Sequence, residues 1–306
     1  MDDEKDLRAE DIFASAVPSE YVPVKLSSVG KLGLPETVHV RDYSFEDSMI
    51  FARATDANEN QIVLNILKNV VYEDIDLTKV TLQDALEILM TIMANFYQNS
   101  IDMPYYIDEN LKGEARETKE NISTAHLRIS DIPTLPLSEE VKLPISIEDK
   151  RFSVKFDYPR LYHDVAAKKY IEESFAKRDN EMSIIAQKIQ KGIASYEEQK
   201  KMDAYNEEKG AEYLRVLNAL QILEFNGEKV ETLDAKIKAL KKIPLPVVIL
   251  LSNIIKVKFN FGLQSEVTFN NEITGEELTR HFSFRFSSFL STIQSEDSSR
   301  YRVSFG

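Results

Sequence analysis

The spacing of apolar residues between positions 60 and 97 predicts two helices. Ile62, Val63, Ile66, Leu67, Val70 and Val71 recur at i, i+3, i+4, i+7 and i+8, which is one apolar face at helical period. An acidic connection follows at 72–80, and a second helix opens at Thr81 with Asp84 three residues on. In this arrangement the hydroxyl accepts from a first-turn N–H and the carboxylate sits at the positive end of the helix dipole. Leu82, Ala85, Leu86, Leu89, Met90, Met93 and Phe96 carry the second stripe. Two amphipathic helices with a short link are expected to pack on each other and nucleate the first domain, as core and without chemistry.

The remaining pattern predicts an α+β fold. Residues 1–24 are polar and acidic and read as a flexible arm with a short helical stretch at 12–16. Residues 24–35, VKLSSVGKLGLP, read as a surface loop or docking strand, which makes Leu32 and Leu34 candidate partner-binding residues. Val38 and Val40 flank His39 in a short strand, and Ser44 with Asp47 caps a helix carrying Phe45, Met49, Ile50 and Ala54. Residues 101–120 read as a linker or loop insertion. The period then changes to two, through Ala125, Leu127 and Ile129, then Val141, Leu143, Ile145 and Ile147, then Phe152, Val154, Phe156 and Tyr158. Prolines at 133, 136, 144 and 159 punctuate these runs, and 148–150 reads as a hairpin turn, giving a small antiparallel sheet with one wet face.

Helical spacing returns at Val165, Ala166, Tyr170, Met182, Ile185, Ala186 and Ile189, and ends near Gly192. A further helix has a solvated Glu/Lys-rich first half and an apolar second half through Leu214, Val216, Leu217, Leu220, Ile222 and Leu223, capped at Gly227. Leu233, Ile237 and Leu240 make one more short helix. Val257, Phe259, Phe261 and Leu263 then alternate, as do Val267 and Phe269, with Asn270 and Asn271 as a turn. Phe282, Phe284 and Phe286 point one way, with Phe289 just beyond, as the inner face of a sheet or as a partner-binding edge. The expected organisation is a flexible arm at 1–24, an N-terminal helical domain at 25–120 and a β-hairpin section at 121–160. A helical section at 161–243, a C-terminal antiparallel β-section at 244–290 and a tail at 291–306 complete it.

Charge and composition narrow the function. A net charge of −13 over 306 residues disfavours nucleic acid, whose binding depends on Lys and Arg neutralising phosphates. The chain has no cysteine, which removes disulfides and thiolate metal sites and fits a reducing cytosol. The acidic N-terminus is unlike a signal peptide, and no apolar run is long enough to insert into a membrane. His39, His126, His163 and His281 are scattered without ligand spacing, Gly30 and Gly33 lack the phosphate-loop spacing, and no G-x-S-x-G elbow occurs. No metal, cofactor or catalytic set is therefore expected. Two other readings stay open, a cytosolic enzyme using carboxylates around 105–109 and a bacterial adaptor protein.

Three stretches carry a family resemblance. The opening VPVKLSSVGKLGLPETVHVRDYSFEDSMIF, with Leu26, Ser27, Ser28, Val29 and Gly30 at its loop, resembles that of the baseplate hub and tail assembly proteins of T4-type contractile phages, though it lacks their loop proline. The helix pair, with Leu82 and Asp84, is similar to theirs. So is the hairpin VKLPISIEDKRFSVKFDYPR, through Val141, Leu143, Pro144, Ser146, Val154, Phe156 and Pro159. The resemblance implies a non-enzymatic protein of the virion tail, or of the host cytoplasm during assembly. Its implied partners are other baseplate proteins, hub subunits or the tape measure. Many members carry C-P-x-C pairs. None stands here near Met103-Pro104 or at 259–262, so apolar packing around Phe259 and Phe282 is expected to hold those loops instead.

Overall fold

The computed structural model describes residues 20–281 other than 56, 98–99, 109–112, 114–116, 119–120 and 272, and describes 102–104 by backbone alone. Strand β1 (Val22–Lys25) pairs antiparallel with β2 (Thr37–Val40), Val22 opposite Val40. Residues 22–24, expected in the flexible arm at 1–24, are therefore strand, and Val24 is buried in this pairing; 1–19 lie outside the described residues. Helix α1 (Phe45–Phe51) has the expected cap: the Asp47 N–H donates to Ser44 Oγ at 3.2 Å and the Ser44 N–H to Asp47 Oδ2 at 2.8 Å. Helices α2 (Glu59–Val70) and α3 (Leu82–Ile92) bury their stripes in one core. They do not form a simple helical hairpin, however. The nearest backbone neighbours of α2 are α1 and the long helix α4 (Leu161–Gln190), while those of α3 are β1 and β10 (Gly262–Leu263). Leu82, expected in the stripe, faces outward.

The segment expected as a loop from 101 onward begins instead as strand β3 (Ser100–Tyr106), which pairs with β4 (Ile122–Arg128) along its whole length. Pro104 fits a two-stranded ribbon, in which every strand is an edge. Strand β5 (Thr134–Leu135) pairs with β10. Gly262 in β10 has φ +83°, and a Cβ there would lie 2.6 Å from Gln83 Oε1 and 2.7 Å from Gln83 Cβ, so only glycine admits this approach to α3.

The predicted hairpin is present as β6 (Ile145–Asp149) and β7 (Phe152–Phe156), with its two-residue turn at 150–151. Two further strands complete a four-stranded antiparallel sheet, β8 (Ile222–Phe225) and β9 (Glu228–Lys229). Helix α5 (Tyr196–Leu220) thus stops well before Gly227, correcting the expected boundary. Asn226 and Gly227, at φ +53° and +82°, form the tight connection between β8 and β9, and an Asn-Gly pair is a strong hairpin signal. That signal outweighs the helical spacing that continues through Leu223.

Helices α4 and α5 run against each other, linked by ion pairs such as Arg178 with Glu208 at 2.6 Å. Helix α6 (Leu233–Leu240) follows, and then α7 (Leu245–Lys258), where the sequence pattern predicts β-structure. Pro244 and Pro246 suit its first turn, whose N–H groups have no intrahelical acceptor. Val257 therefore lies in a helix, and Phe259 and Phe261 pack on Tyr158 with ring centroids 4.9 and 5.8 Å away. Strands β11 (Glu266–Asn270) and β12 (Glu277–His281) form the last ribbon. In the connection between them, Asn271 Oδ1 accepts the Ile273 N–H at 2.9 Å. Phe282, Phe284, Phe286 and Phe289 lie outside the described residues.

The architecture is α+β, as the pattern predicts. Two apolar cores dominate. One holds α2, α3, Val38, Val40, Leu161 and Val267; the other lies between the four-stranded sheet and α7. The loop between β1 and β2 joins them, sending Leu26 and Leu34 into the first and Leu32 into the second. No helix among the described residues is long and apolar enough to cross a membrane.

Candidate functional site

The loop between β1 and β2 is fastened by a buried polar seam. The Ser27 N–H donates to Glu87 Oε2 at 2.8 Å. Thr81 Oγ1 donates to Asp84 Oδ2 at 2.7 Å and accepts the Asp84 N–H at 3.0 Å. Asp84 and Glu87 stand three apart on α3, hence on one face. Burial raises the Asp84 carboxyl above its ordinary range. Burial, reinforced by the Asp84 charge, pushes Glu87 up to about 7. At the start of α4, buried Arg160 donates through Nη1 to the carbonyls of Leu32 at 2.6 Å and Lys79 at 2.8 Å, and through Nη2 to Asp157 Oδ1 at 2.9 Å. His163 accepts the Arg160 N–H at 3.3 Å, and burial lowers its imidazole to about 4.

A raised carboxyl pair is the kind of arrangement that acid–base catalysis uses, but catalysis also needs reach to a substrate. Neither Asp84 nor Glu87 lines either of two surface clefts. A cleft of about 260 Å³ is bordered by Lys31, Gly33, Lys79, Pro144, Asp157 and Arg160. Another, of about 380 Å³ between α4 and α5, is bordered by Lys168, Glu172, Asn206, Lys209 and Tyr213. Both side chains are buried, so the seam lies inside the fold. Leu32 and Leu34, expected to meet a partner, are 1% and 2% exposed and belong to the cores. This corrects the expectation: their alternation in a glycine-containing loop reflects inward anchoring.

The other sequence candidates are also accounted for locally. His39 Nδ1 lies 2.6 Å from Glu73 Oε1, and His281 lies 3.9 Å from Glu266. Among the described residues no group of three or more His, Asp or Glu side chains is placed to hold a metal ion. Asp76 accepts from the Thr78 hydroxyl at 2.6 Å and its N–H at 2.9 Å, and these bonds hold its carboxyl below the ordinary range. Near 105–109, Tyr105 is buried, with its ring 5.1 Å edge-on to Phe269 and its hydroxyl donating to Asn271 Oδ1 at 3.3 Å. That contact joins the ribbons β3–β4 and β11–β12. Phe259, expected to hold the loops near Met103-Pro104 and 259–262, belongs to the second core, and Phe282 lies outside the described residues.

The surface feature that sequence reasoning missed is α7. Its inward arc, centred on Leu251, packs on the second core. Its outward arc is apolar as well: Leu245 is 69% exposed, Ile249 53%, Leu250 46% and Val257 76%. Positions 245, 249, 250 and 257 fall on one side at 100° per residue, with Asn253 between them. Lysines flank the helix in sequence, Lys241 and Lys242 before it and Lys256 and Lys258 in its last turn, all exposed. Of these Lys256 falls on the side of the outward arc, while Lys242 Nζ lies 5.9 Å from the Phe225 ring. From 235 to 265 the sequence contains six lysines and no acidic residue, within a chain of net charge −13. An apolar run carrying lysines but no carboxylates is the signal that could have found this face. Comparison with known proteins finds no matching family model, curated protein or solved structure.

Proposed function

We propose that this protein is a non-enzymatic structural or assembly component of a contractile phage tail baseplate, a hub subunit or a chaperone for hub and tape-measure assembly. It works by docking on neighbouring tail proteins. The observation that carries the docking reading is the outward face of α7, where four large apolar side chains stand in water on a segment whose charged residues are all lysine. Such a face favours a segment with an apolar stripe, and the lysines of the same stretch favour an acidic one. The phage setting rests on the resemblance of residues 22–51, 63–97 and 141–160. The sealed position of Asp84 and Glu87 supports binding without catalysis.

The test is the double substitution Ile249→Glu with Leu250→Glu, made in the producing phage. These side chains point outward, so the thermal midpoint stays close to the parent value while incorporation into tails or tail intermediates is lost. Normal incorporation of the variant rejects the α7 docking surface. Absence of the parent protein from particles and from every assembly intermediate rejects the baseplate role.

A further inference from the structure

We propose that the cleft between the β1–β2 loop and the start of α4 is a binding site for a small phosphate monoester. The inference is independent of the docking reading of α7.

Charge is the first reason. Lys31, Lys79 and Arg160 border the cleft against one carboxylate, Asp157, in a chain of net charge −13. They come from three segments far apart in sequence, so the fold gathers them and local composition does not. Asp157 is already committed: its Oδ1 takes the Arg160 guanidinium at 2.9 Å and the Tyr158 N–H at 2.8 Å. Asp76 and Asp84 also act on Arg160 through space, but neither borders the cleft. His163, which accepts the Arg160 N–H, senses the same positive field. Burial lowers its imidazole and Asp157 raises it, and Lys236, Arg160 and Lys79 each lower it further.

Unused donors are the second reason. Leu32 and Gly33 border the cleft, and their N–H groups have no acceptor among the described residues, although Leu32 is buried. Backbone N–H groups in buried segments are rarely left so, and an oxyanion supplies several acceptors at once. Lys79 Nζ makes no hydrogen bond or ion pair among the described residues. Lys31 Nζ gives one of its three protons to Ser138 O at 3.2 Å.

Gly33 lets these groups meet. It has φ +102°, and a Cβ there would stand 3.0 Å from Lys79 Cγ and 3.1 Å from Lys79 Cβ, so glycine admits the lysine stem against the loop. Arg160 Nη1 holds the carbonyls of both Leu32 and Lys79, which fixes the two segments to one guanidinium. Both terminal nitrogens of Arg160 are thus engaged in the fold. It contributes charge, while the lysines and amides contribute contacts.

Size and wall select the ligand. The cleft measures about 260 Å³, below the range of drug-sized sites, and its uncharged rim includes Leu143, Pro144 and Leu223. It suits a phosphate carrying a few carbon atoms. The double charge and three oxygens of a phosphate monoester match two lysines and two amides better than a carboxylate does. A nucleotide base would find no aromatic side chain among the lining residues to stack on. The loop leads into β2 and not into a helix, so this is not the phosphate loop of nucleotide-binding folds.

The test is a titration of the full, isotope-labelled chain with propyl phosphate, followed by its amide resonances. Saturable shifts at Leu32 and Gly33 in the millimolar range are expected, with a rise in the thermal midpoint. Lys31→Gln and Lys79→Gln should each weaken binding about tenfold, the worth of one charge-assisted hydrogen bond, with far-UV spectra unchanged. Lys25→Gln, whose lysine pairs with Glu36 and does not border the cleft, should bind as the parent does. Inorganic phosphate should bind more weakly, and binding as tight as that of propyl phosphate rejects the role of the apolar rim. The absence of saturable shifts in the folded parent overturns the inference. So do shifts reproduced by sodium chloride at equal ionic strength, or lysine variants that bind as the parent does. Retention on phosphatidic acid vesicles that propyl phosphate cannot displace also overturns it, and assigns the phosphate to a lipid headgroup. Stronger competition by a glutamate-rich peptide overturns it in favour of an acidic protein partner.

Discussion

Arg160 donates from Nη1 to the backbone carbonyl of Leu32 at 2.6 Å, across 128 positions of sequence. This bond ties the β1–β2 loop to the start of α4. The same guanidinium group also serves Lys79 O and Asp157. Removing it strips the buried Leu32 carbonyl and the part-buried Lys79 carbonyl of this donor. Asp157 Oδ1 keeps the Tyr158 N–H but loses its guanidinium partner. Arg160→Met is expected to cost about 3–5 kcal/mol in denaturant unfolding, the range for breaking a buried ion pair on one side. Arg160→Lys should recover little of it, because a single ammonium cannot span the three acceptors that the planar fork reaches.

Glu87 and His163 give opposite pH dependences to stability. The folded protein keeps the Glu87 proton up to about 7, against an ordinary value of 4.5. From pH 4.5 to 7 the unfolded chain releases that proton first, so this contribution to stability falls as pH rises. His163 is lowered from 6.5 to about 4, so from pH 6.5 down to 4 the unfolded chain gains a proton that the folded chain refuses. Its contribution falls as pH drops. Each amounts to about 3 kcal/mol at the limit, at 1.4 kcal/mol per unit, and the two offset each other between 4.5 and 6.5. Asp84 acts in the same direction as Glu87, while Asp157, Lys236, Arg160 and Lys79 act on His163. Glu87→Gln keeps an oxygen for the Ser27 N–H. Relative to the parent it should become progressively more stable as pH rises from 4.5 to 7. His163→Asn should show its relative gain below pH 6.5. Unfolding midpoints measured in steps from pH 4 to 7.5 separate these slopes, and parallel curves for parent and variants would reject the assignment.

Two glycines with the same backbone angle should differ in cost when replaced. Gly227, at φ +82°, has open space where a Cβ would stand, whereas a Cβ at Gly262, at φ +83°, meets Gln83. Gly227→Ala should cost about 1–2 kcal/mol from backbone strain alone. Gly262→Ala should cost more, and Gln83→Ala should relieve part of the excess without removing the strain. A double-mutant cycle in urea measures the coupling.

The two sides of α7 should respond differently to the same change. Leu251 is buried and Ile249 is 53% exposed. Leu251→Glu is expected to lower stability by several kcal/mol, by burying a charge in the second core. Ile249→Glu should stay within about 0.5 kcal/mol of the parent and improve solubility. Thermal melts with light scattering test both.

Local chemistry fixed a definite share of this molecule. The period of the apolar residues specified α2, α3 and α4, and hydroxyl–carboxylate pairs specified the caps at Ser44 and Thr81, because a helix closes its hydrogen bonds within its own few residues. Alternation likewise specified β6 and β7, joined by a tight turn. Strand β3, with Pro104 inside it, and strand β8, written in helical spacing, depended on partners distant in sequence, β4 and β7. A strand is made by hydrogen bonds to another strand, so its own residues do not carry the whole instruction. The same reason governs the candidate site. An apolar run such as residues 247–251 has no inside or outside of its own. Packing on the second core turned Leu251 inward and left Ile249 and Leu250 in water, just as it drew Leu32 and Leu34 out of solvent. The apolar composition of α7 is written in the chain, but which of its sides faces water was decided by tertiary packing.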